Sequence, residues 1–306
     1  DMEDDVEVAG RPAAQTGLAI AGRAKAGSGI HAGRDAEIDG GGHLAAAAAP
    51  TRAARLFDHA PGSLAPGTGL TDAHETAEHL LDLAVSGAKP VALSLGLIIE
   101  EGFETSRLDA ILSSAAQTAR QAGVVIVAGD TKVVEAGAAD GLFINTAGIG
   151  VVPEGVHLSG ANARIGDRVL LSGTMADHGM TILTRREGLR FASPMESDTA
   201  PLNHLTAGLM AAFGEKIHVL RDPTRGGVGT TLNEIAISSG VGILIREESL
   251  PVRPAVAGAC ELLGVDPLYV ANEGKLVAVV APEAAVEILH MMRSDPLGRE
   301  ACIIGE

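Results

Sequence analysis

The chain has 306 residues and carries 39 Asp and Glu against 23 Lys and Arg, which gives a formal net charge of −16. This charge argues against nucleic acid and against an anionic membrane surface as partners. Five Phe, one Tyr and no Trp exclude an aromatic stacking surface for single-stranded nucleic acid. The length suffices for about two domains with aliphatic cores.

Two cysteines, Cys260 and Cys302, are too few for a disulfide framework, which favours a reducing compartment. No apolar run approaches the roughly 18 residues of a membrane span. The first residues, Asp-Met-Glu-Asp-Asp, are unlike a secretory signal. We therefore expect a soluble, cytoplasmic protein with no membrane partner and no nucleic-acid partner.

The first 75 residues differ in composition from the rest of the chain. They contain 19 Ala and 12 Gly, including the alanine run 45–49. Such a segment buries little apolar area against the entropy cost of ordering its backbone. We predict that residues 1–75 are divergent and poorly ordered.

From residue 76 onward, helix-period and strand-period blocks alternate. The first helix has an apolar face from Leu108 to Ala119, a capping pair at Ser106 and Asp109, and an end at Gly123. The further predicted helices are 202–217, 228–239, 255–263 and 283–293, and the predicted strands are 124–127, 168–171, 218–220, 241–245, 276–280 and 302–304. The pattern predicts a mixed α/β or α+β fold with a seam near 153–160, which separates units at 76–155 and 156–306.

Three acidic residues lie in predicted loops that follow apolar strands. Asp82 opens the stretch 82–90, Asp130 lies in a predicted loop directly after a buried strand, and Asp222 lies between a strand and a helix. Ligands of α/β sheets collect at strand ends, and Mg²⁺ is normally held by a few carboxylates together with substrate phosphates. We predict that these three acids gather around one Mg²⁺. The alternatives are a solvated helix position for Asp82, a turn residue at Asp130 and a helix cap at Asp222.

Two neighbouring motifs add candidate binding and catalytic groups. Gly226 and Gly227 let backbone amides approach an anion at a helix N-terminus, and Arg225 adds a forked donor for phosphate or carboxylate. Glu273, in the turn Asn-Glu-Gly-Lys, is a candidate base if the fold holds it in a closed site.

Histidines offer weaker signals. His178 is interpreted as a structural hydrogen-bonding residue and not as a catalyst. His74 and His79 are five residues apart and do not share a helical face, so we interpret 74–79 as a solvated charged turn and not as a zinc helix. The chain has no P-loop, no Gly-x-Gly-x-x-Gly fingerprint and no Gly-x-Ser-x-Gly elbow.

Three motifs occur together in this chain: GDTKVV at 129–134, RDPTRGG at 221–227 and ANEGK at 271–275. Further stretches of the same pattern are 82–90, 100–102, 140–146, 171–179, 232–234 and 303–306. In this combination the chain resembles the HypE hydrogenase-maturation proteins, carbamoyl dehydratases of the PurM-like (AIR-synthetase-like) ATPase superfamily, over about residues 80–306.

The resemblance implies a homodimer of two-domain PurM-like subunits that binds ATP and Mg²⁺. It implies the ATP-dependent dehydration of a cysteine-linked thiocarboxamide to a thiocyanate, with the carbamoyltransferase and iron-scaffold proteins of hydrogenase maturation as partners. The residues that match by position are the metal and phosphate carboxylates Asp82, Asp130 and Asp222, the nucleotide-site residues Thr131 and Asp140, and the polar pair Lys132 and Glu273. From this match we expect Lys132 to stabilise phosphate or an oxyanion and Glu273 to remove protons.

The chain also departs from the HypE pattern. The Gly-rich phosphate loop and the Thr-Thr-Asp-Ser strand have no counterpart in residues 1–75, and Leu81 stands where an Asn precedes Asp82. The sequence stops at Glu306 without a tail ending in Pro-Arg-x-Cys, and neither cysteine matches the acceptor, so we expect no self-carried substrate. Two alternatives stay open: a catalytically inactive module that binds maturation partners, and a small-molecule synthetase of the selenophosphate or aminoimidazole ribonucleotide type.

Overall fold

The structure is a computed structural model that describes residues 17–22, 44–47, 54–55, 73–189, 191 and 195–306. Its strands are β1 (Gly17–Gly22), β2 (Leu44–Ala47), β3 (Ala54–Arg55), β4 (Lys89–Glu100), β5 (Val125–Val134), β6 (Leu142–Val152), β7 (Arg168–Leu171), β8 (Ile217–Arg221), β9 (Val277–Val280) and β10 (Cys302–Gly305). Its helices are α1 (Ala73–Val85), α2 (Thr105–Gln121), α3 (Asp177–Arg186), α4 (Asn203–Phe213), α5 (Gly227–Ser239), α6 (Pro254–Leu263) and α7 (Ala285–Ser294). None of these helices is long and apolar enough to cross a bilayer.

The first sheet has the strand order β2-β1-β6-β4-β5, and β3 also pairs with β6. β4 pairs with β5 in parallel and with β6 in antiparallel orientation. Burial alternates along β6, which is typical of a sheet with one covered face. On that face Leu97, Leu142 and Ile144 pack with Ile111 of α2.

The second sheet is antiparallel, with the order β10-β7-β9-β8. All four residues of β9 are buried because helices cover both faces of the sheet. Ala278 and Val280 belong to the apolar cluster that includes α4 and α7, whereas Val277 and Val279 belong to the cluster that includes α5. The period of two along the strand thus sends successive side chains into different cores.

Helix α1 connects the two sheets. Its residues Leu81 and Val85 belong to the same buried cluster as Leu205 and Leu209 of α4. The first residues of α4 also contact the end of α2. Asn203 Nδ2 donates to the carbonyl of residue 122 at 2.9 Å, and His204 Nε2 lies 3.0 Å from the carbonyl oxygen of residue 121. These bonds satisfy carbonyls that a helix end leaves without an internal partner.

The predicted alternation of helices and strands, and with it the mixed α/β class, is confirmed. Strand 168–171 has the predicted bounds, and α5 and α6 each begin within one residue of the predicted position. Gly123 has a φ of 70° just after α2, as expected of a residue that ends a helix. Local periodicity suffices for these elements because each one packs a continuous apolar face.

Four local predictions are wrong. The predicted loop 129–132 belongs to β5, which pairs with β4 as far as Val134. The predicted strand 241–245 forms only one isolated bridge, from Ile245 to Gly305. Helix α2 begins at Thr105, so Ser106 and Asp109 lie inside its first turns and do not cap it. Helix α4 ends at residue 213 because Gly214 leaves the helical region with a φ of 44°.

Residues 1–75 were predicted to be poorly ordered. Within this segment the structure describes β1, β2, β3 and the start of α1, and β1 pairs with both β2 and β6. This pairing is made by backbone groups and needs no large side chains. The remainder of the segment lies outside the described residues, and poor order of residues 1–75 stays a prediction.

Candidate functional site

The turn that carries Glu273 is buried immediately before β9. Glu273 is 4% exposed and Asn272 is fully buried. Asn272 Nδ2 donates to the carbonyls of Pro223 at 3.0 Å and Val270 at 3.1 Å, and Asn272 Oδ1 accepts the N–H of Ala176 at 2.7 Å. One side chain therefore fixes the turn to two other loops.

The loop after β8 carries Asp222 and leads into α5. Asp222 is buried and Arg225 is exposed. Gly226 and Gly227 have positive φ, and a Cβ on Gly227 would overlap the carbonyl of Val270, so this loop lies directly against the Glu273 segment. The predicted position of Asp222 between a strand and a helix is confirmed. The alternative as a helix cap is wrong, because Gly226 is the N-cap of α5.

Lys275 forms a buried ion pair at the far end of the same turn. Its Nζ lies 3.1 Å from Asp198 Oδ2, and the two side chains are 9% and 5% exposed. A Cβ on Gly173 would come within 3.2 Å of Lys275 Cε, so the glycine leaves space for the lysine side chain. The backbone at Asp198 is in turn so close to Gly274 that any Cβ there would overlap it.

Asp177, the first residue of α3, is a second buried acid beside this pair. Asp177 Oδ2 accepts a hydrogen bond from Thr174 Oγ1 at 2.5 Å, and Arg253 Nε lies 3.8 Å from Oδ1. Burial raises the pKa of Asp177, the Thr174 bond and Arg253 oppose this rise, and the Asp198 carboxylate adds to it. The arrangement favours a carboxyl group that keeps its proton to higher pH than an exposed aspartate does.

Asp82 lies in helix α1 and is half-buried. The prediction that Asp82 lies in a loop after a strand is therefore wrong. The alternative of a helix position is correct, but the Asp82 side chain is half-buried and not fully solvated. The cause is visible in the sequence, because Ala77, Leu80, Leu81 and Ala84 have helical spacing and are all buried.

Asp130, Thr131 and Lys132 lie on β5 and are exposed. Asp130 Oδ1 accepts the N–H of Thr131 at 2.8 Å. Because β5 is the last strand of its sheet, these polar side chains lie on a strand edge and not in the turn that the sequence suggests. The alternative reading of Asp130 as a turn residue is wrong for the same reason.

Asp140 lies in the exposed segment between β5 and β6. The carboxylate of Glu100 accepts the N–H groups of Gly137 at 2.5 Å and of Gly141 at 2.7 Å. These two hydrogen bonds lower the pKa of Glu100 because they stabilise its charged form. Glu100 thus fixes the shape of the segment that carries Asp140.

The two histidine interpretations have different outcomes. His178 Nδ1 lies 2.9 Å from Ser197 Oγ, a contact of the kind expected for a structural residue. His79 is buried on α1, with Nδ1 2.6 Å from Thr146 Oγ1, so the interpretation of 74–79 as a solvated turn is wrong.

The three predicted metal ligands come from different places in the fold. Asp82 lies on α1, Asp130 on the exposed strand β5 and Asp222 in the buried loop after β8. Among the residues that the structure describes, no three His, Cys, Asp or Glu side chains form a group that could hold a metal ion. The described residues therefore do not fit a preformed three-carboxylate Mg²⁺ site, and of the three acids only Asp222 follows the end of a strand.

Known proteins match this chain over the same two sheets. Residues 73–152 match the family model of the AIR synthase related protein N-terminal domain, and residues 164–306 match that of its C-terminal domain. A crystal structure of a HypE-HypF complex contains a chain that is 52% identical, with a TM-score of 0.75 and coverage of 77% of both chains. The chain belongs to the HypE family.

Two further HypE proteins extend this finding. Carbamoyl dehydratase HypE of Bradyrhizobium diazoefficiens is 57% identical over 225 residues, which are 74% of this chain and 65% of that protein. The HypE hydrogenase maturation protein crystallised in complex with ATP is 43% identical, with a TM-score of 0.75 and coverage of 82% and 79%. The resemblance in the motifs and the PurM-like fold are thereby confirmed. The chain spans about two thirds, 65%, of the length of the curated HypE relative.

The sequence alone points to Glu273 but not to the side chains around it. Asn272 gave the signal of an ordinary turn residue, and Asp198 lies in a polar stretch without periodicity. Lys275 lies 77 positions along the chain from its partner Asp198, so no local pattern reveals the pair. The missed residues are those whose role depends on long-range contacts.

Proposed function

We propose that this chain performs the ATP-dependent dehydration of a cysteine-linked thiocarboxamide to a thiocyanate, which supplies the cyanide ligands of [NiFe] hydrogenases. The observation that carries the proposal is family membership: a relative at 57% identity is named carbamoyl dehydratase HypE, and one at 43% was crystallised with ATP. The buried Glu273 turn beside Asp222 supports it, because water is excluded there.

The reaction needs both a phosphate and a base. A carboxamide oxygen leaves poorly as hydroxide, so the γ-phosphoryl group of ATP is transferred to that oxygen, one N–H proton is lost and ADP departs. Loss of the second N–H proton then forms the C≡N bond as phosphate leaves. The net change is thiocarboxamide plus ATP to thiocyanate, ADP, hydrogen phosphate and one proton.

The proposal gives each predicted residue one task. Glu273 accepts the amide protons, and its burial in a fixed turn favours a defined position for that base. Lys132 stabilises the transferred phosphoryl group or the oxyanion. The residues proposed to contact the nucleotide are Asp82, Asp130, Thr131, Asp140, Asp222 and Arg225.

Mg²⁺ enters the proposal only as the ion that accompanies ATP. Mg²⁺ is commonly held by one or two carboxylates together with substrate phosphates, which does not require a preformed cage. Asp130 and Asp222 are the proposed carboxylates. No step of the chemistry above is assigned to the ion.

The proposed partners are a second copy of the chain, the carbamoyltransferase HypF and an iron-scaffold protein. Support for the second copy comes from β5, an edge strand on which Val125, Val127 and Val133 are 61%, 64% and 58% exposed. Such an edge is a template for pairing with another chain. Support for HypF comes from the relative at 52% identity, which was crystallised with it.

Cys260 and Cys302 are both free thiols, which supports a cytoplasmic location.

Calorimetric titration of the purified chain with ATP and Mg²⁺ tests the proposal. We expect micromolar binding that Asp222→Asn weakens at least about tenfold, which corresponds to about 1.4 kcal/mol. Asp167→Asn is the matched control, because Asp167 is equally buried but bonded to His218. Absence of heat at millimolar nucleotide with folded protein contradicts the proposal.

One observation favours the alternative of a partner-binding module without activity. The predicted metal acids do not form a group of three within residues 73–189 and 195–306. For such a module we expect no heat with ATP but measurable binding to HypF in the same instrument.

A further inference from the structure

Asn272 makes four hydrogen bonds, more than the formation of a turn requires. Its backbone N–H donates to the Pro223 carbonyl at 3.2 Å, and its side chain makes the three bonds to Pro223, Val270 and Ala176 described above. Both amide hydrogens and the amide oxygen are therefore used inside the protein. The side chain is fully buried, so no water replaces these bonds.

The orientation of this amide is dictated by its neighbours. The Ala176 N–H can only donate, so it must face Oδ1, and the Pro223 and Val270 carbonyls can only accept, so they must face Nδ2. A reversed amide would leave three buried polar groups facing a partner of the same kind. Asn272 thus has one orientation, which fixes the loops on both sides of it.

The three connected segments are those that carry the acids of the site. Pro223 follows Asp222 directly, Ala176 precedes Asp177, and Asn272 itself precedes Glu273. Ala176 has a φ of 71°, a left-handed conformation that is unfavourable for a residue with a Cβ. The bond from its N–H to Asn272 Oδ1 helps to retain that conformation.

Close backbone contacts also hold these loops together, in addition to the bonds of the Asn272 side chain. The Gly179 N–H donates to the Ala271 carbonyl at 3.0 Å, and a Cβ on Gly179 would contact the backbone of Ala271 at 3.0 and 3.1 Å. Gly227 lies as closely against the Val270 carbonyl. The backbones touch, and Asn272 supplies the directed bonds between them.

We propose that Asn272 is a positioning residue that sets Glu273 relative to Asp222 and Asp177. The inference rests on the proposed function for its catalytic consequence, but the coupling of the three loops stands on the contacts alone. Displacement of reacting groups by about 1 Å can cost roughly 100-fold in rate. Loss of Asn272 therefore lowers the turnover number much more than it weakens nucleotide binding.

The test compares Asn272→Ala with a matched control, Asn203→Ala. Asn203 is also a buried asparagine whose Nδ2 donates to a backbone carbonyl, that of residue 122, but it lies between α2 and α4. Amide hydrogen exchange measured by mass spectrometry is the first readout. We expect Asn272→Ala to speed exchange in 174–179 and 222–227 together, whereas Asn203→Ala leaves both segments unchanged.

Turnover of ATP with S-carbamoylcysteine is the second readout. We expect kcat to fall between about 10-fold and 100-fold in Asn272→Ala, with KM for ATP changed less than about threefold. Equal loss in both variants, or exchange that rises in neither loop, overturns the inference. If the unmodified chain turns over no ATP, the proposed function fails, and the exchange result alone decides the inference. Should Asn272→Ala not fold, Asn272→Ser keeps an acceptor and one donor, and a partial version of both effects is expected.

Discussion

The buried pair of Lys275 and Asp198 is the most consequential contact at the scale of single residues. Removing one partner of such a pair leaves a charge without compensation in a low-dielectric interior. We expect Lys275→Met to lower the free energy of unfolding by about 3 to 5 kcal/mol, measured by urea denaturation.

The exposed pair of Lys216 and Glu283 is the control for this prediction, because its side chains are 51% and 59% exposed. Lys216→Met should cost no more than about 1 kcal/mol, since solvent screens exposed pairs. The double variant Lys275→Met with Asp198→Leu should recover most of the loss, because it also removes the Asp198 charge that Lys275 compensates. A cost below about 1 kcal/mol for Lys275→Met alone would contradict the assignment.

Ala176 offers a second prediction at this scale, because three effects compete there. Ala176→Gly relieves about 1 to 2 kcal/mol of left-handed strain. It adds about 0.5 to 1 kcal/mol of chain entropy cost and loses about 0.8 kcal/mol of methyl burial. We expect the urea midpoint to stay close to that of the unmodified chain. Ala176→Val should lower it clearly, and equal effects of both substitutions would show that the backbone is not constrained here.

Sequence reasoning at the residue scale identifies groups by type but not by partner. Asp222 and Glu273 are found because their motifs place them beside strands. Asp198 and Asn272 are missed because their partners are distant in the chain, and a lone polar residue between apolar blocks is indistinguishable from a turn former.

At the scale of elements, Glu100 at the end of β4 shapes the connection from β5 to β6. Its pKa is lowered by the Gly137 and Gly141 N–H groups, so the bonds are complete above the ordinary glutamate pKa of about 4.3 and are lost as pH falls through the lowered value. We expect Glu100→Gln to speed amide exchange at Gly137 and Gly141 at neutral pH. In the unmodified chain we expect acid to lower the protection of these two amides, measured against the intrinsic exchange rate at the same pH.

Glu101→Gln is the control, since the neighbouring Glu101 is exposed. It should leave exchange at both glycines unchanged. Unaltered exchange in Glu100→Gln would mean that the turn keeps its shape without the carboxylate.

The elements that sequence reasoning found are those with a continuous apolar face, such as α5 and β7. It shortened β5 because Gly129, Asp130, Thr131 and Lys132 have the composition of a turn. An edge strand exposes its side chains, so polar residues cost little there, and only the pairing with β4 shows that the strand continues.

At the scale of the whole molecule, the exposed valines of β5 predict the oligomeric state. A lysine on a sheet edge opposes pairing with a second chain. We expect sedimentation velocity to show a dimer for the unmodified chain and a monomer for Val127→Lys. Ile237→Lys on α5 is the control, because Ile237 is 73% exposed but lies on the other half, and it should stay dimeric. A monomeric unmodified chain at tens of micromolar would contradict the proposal.

The arrangement of the two halves could be predicted from the motifs only as a family expectation. The sequence places Asp82 beside apolar residues, but it does not show that those residues pack against α4. The described residues do not show the predicted convergence of Asp82, Asp130 and Asp222. Such convergence depends on how the two sheets and α1 pack together, which the local sequence pattern does not reveal.

The packing of α1 against α4 has a consequence for how the molecule comes apart. Leu81 and Val85 of α1 pack in a cluster built mainly by the second sheet and its helices. Separation of the two halves would therefore leave a cavity in that core and expose the apolar face of α1. Unfolding of either half therefore removes packing contacts from the other half and destabilises it. Heating the protein should therefore give one calorimetric endotherm for both sheets. A destabilising substitution in either sheet should lower the midpoint of that single transition.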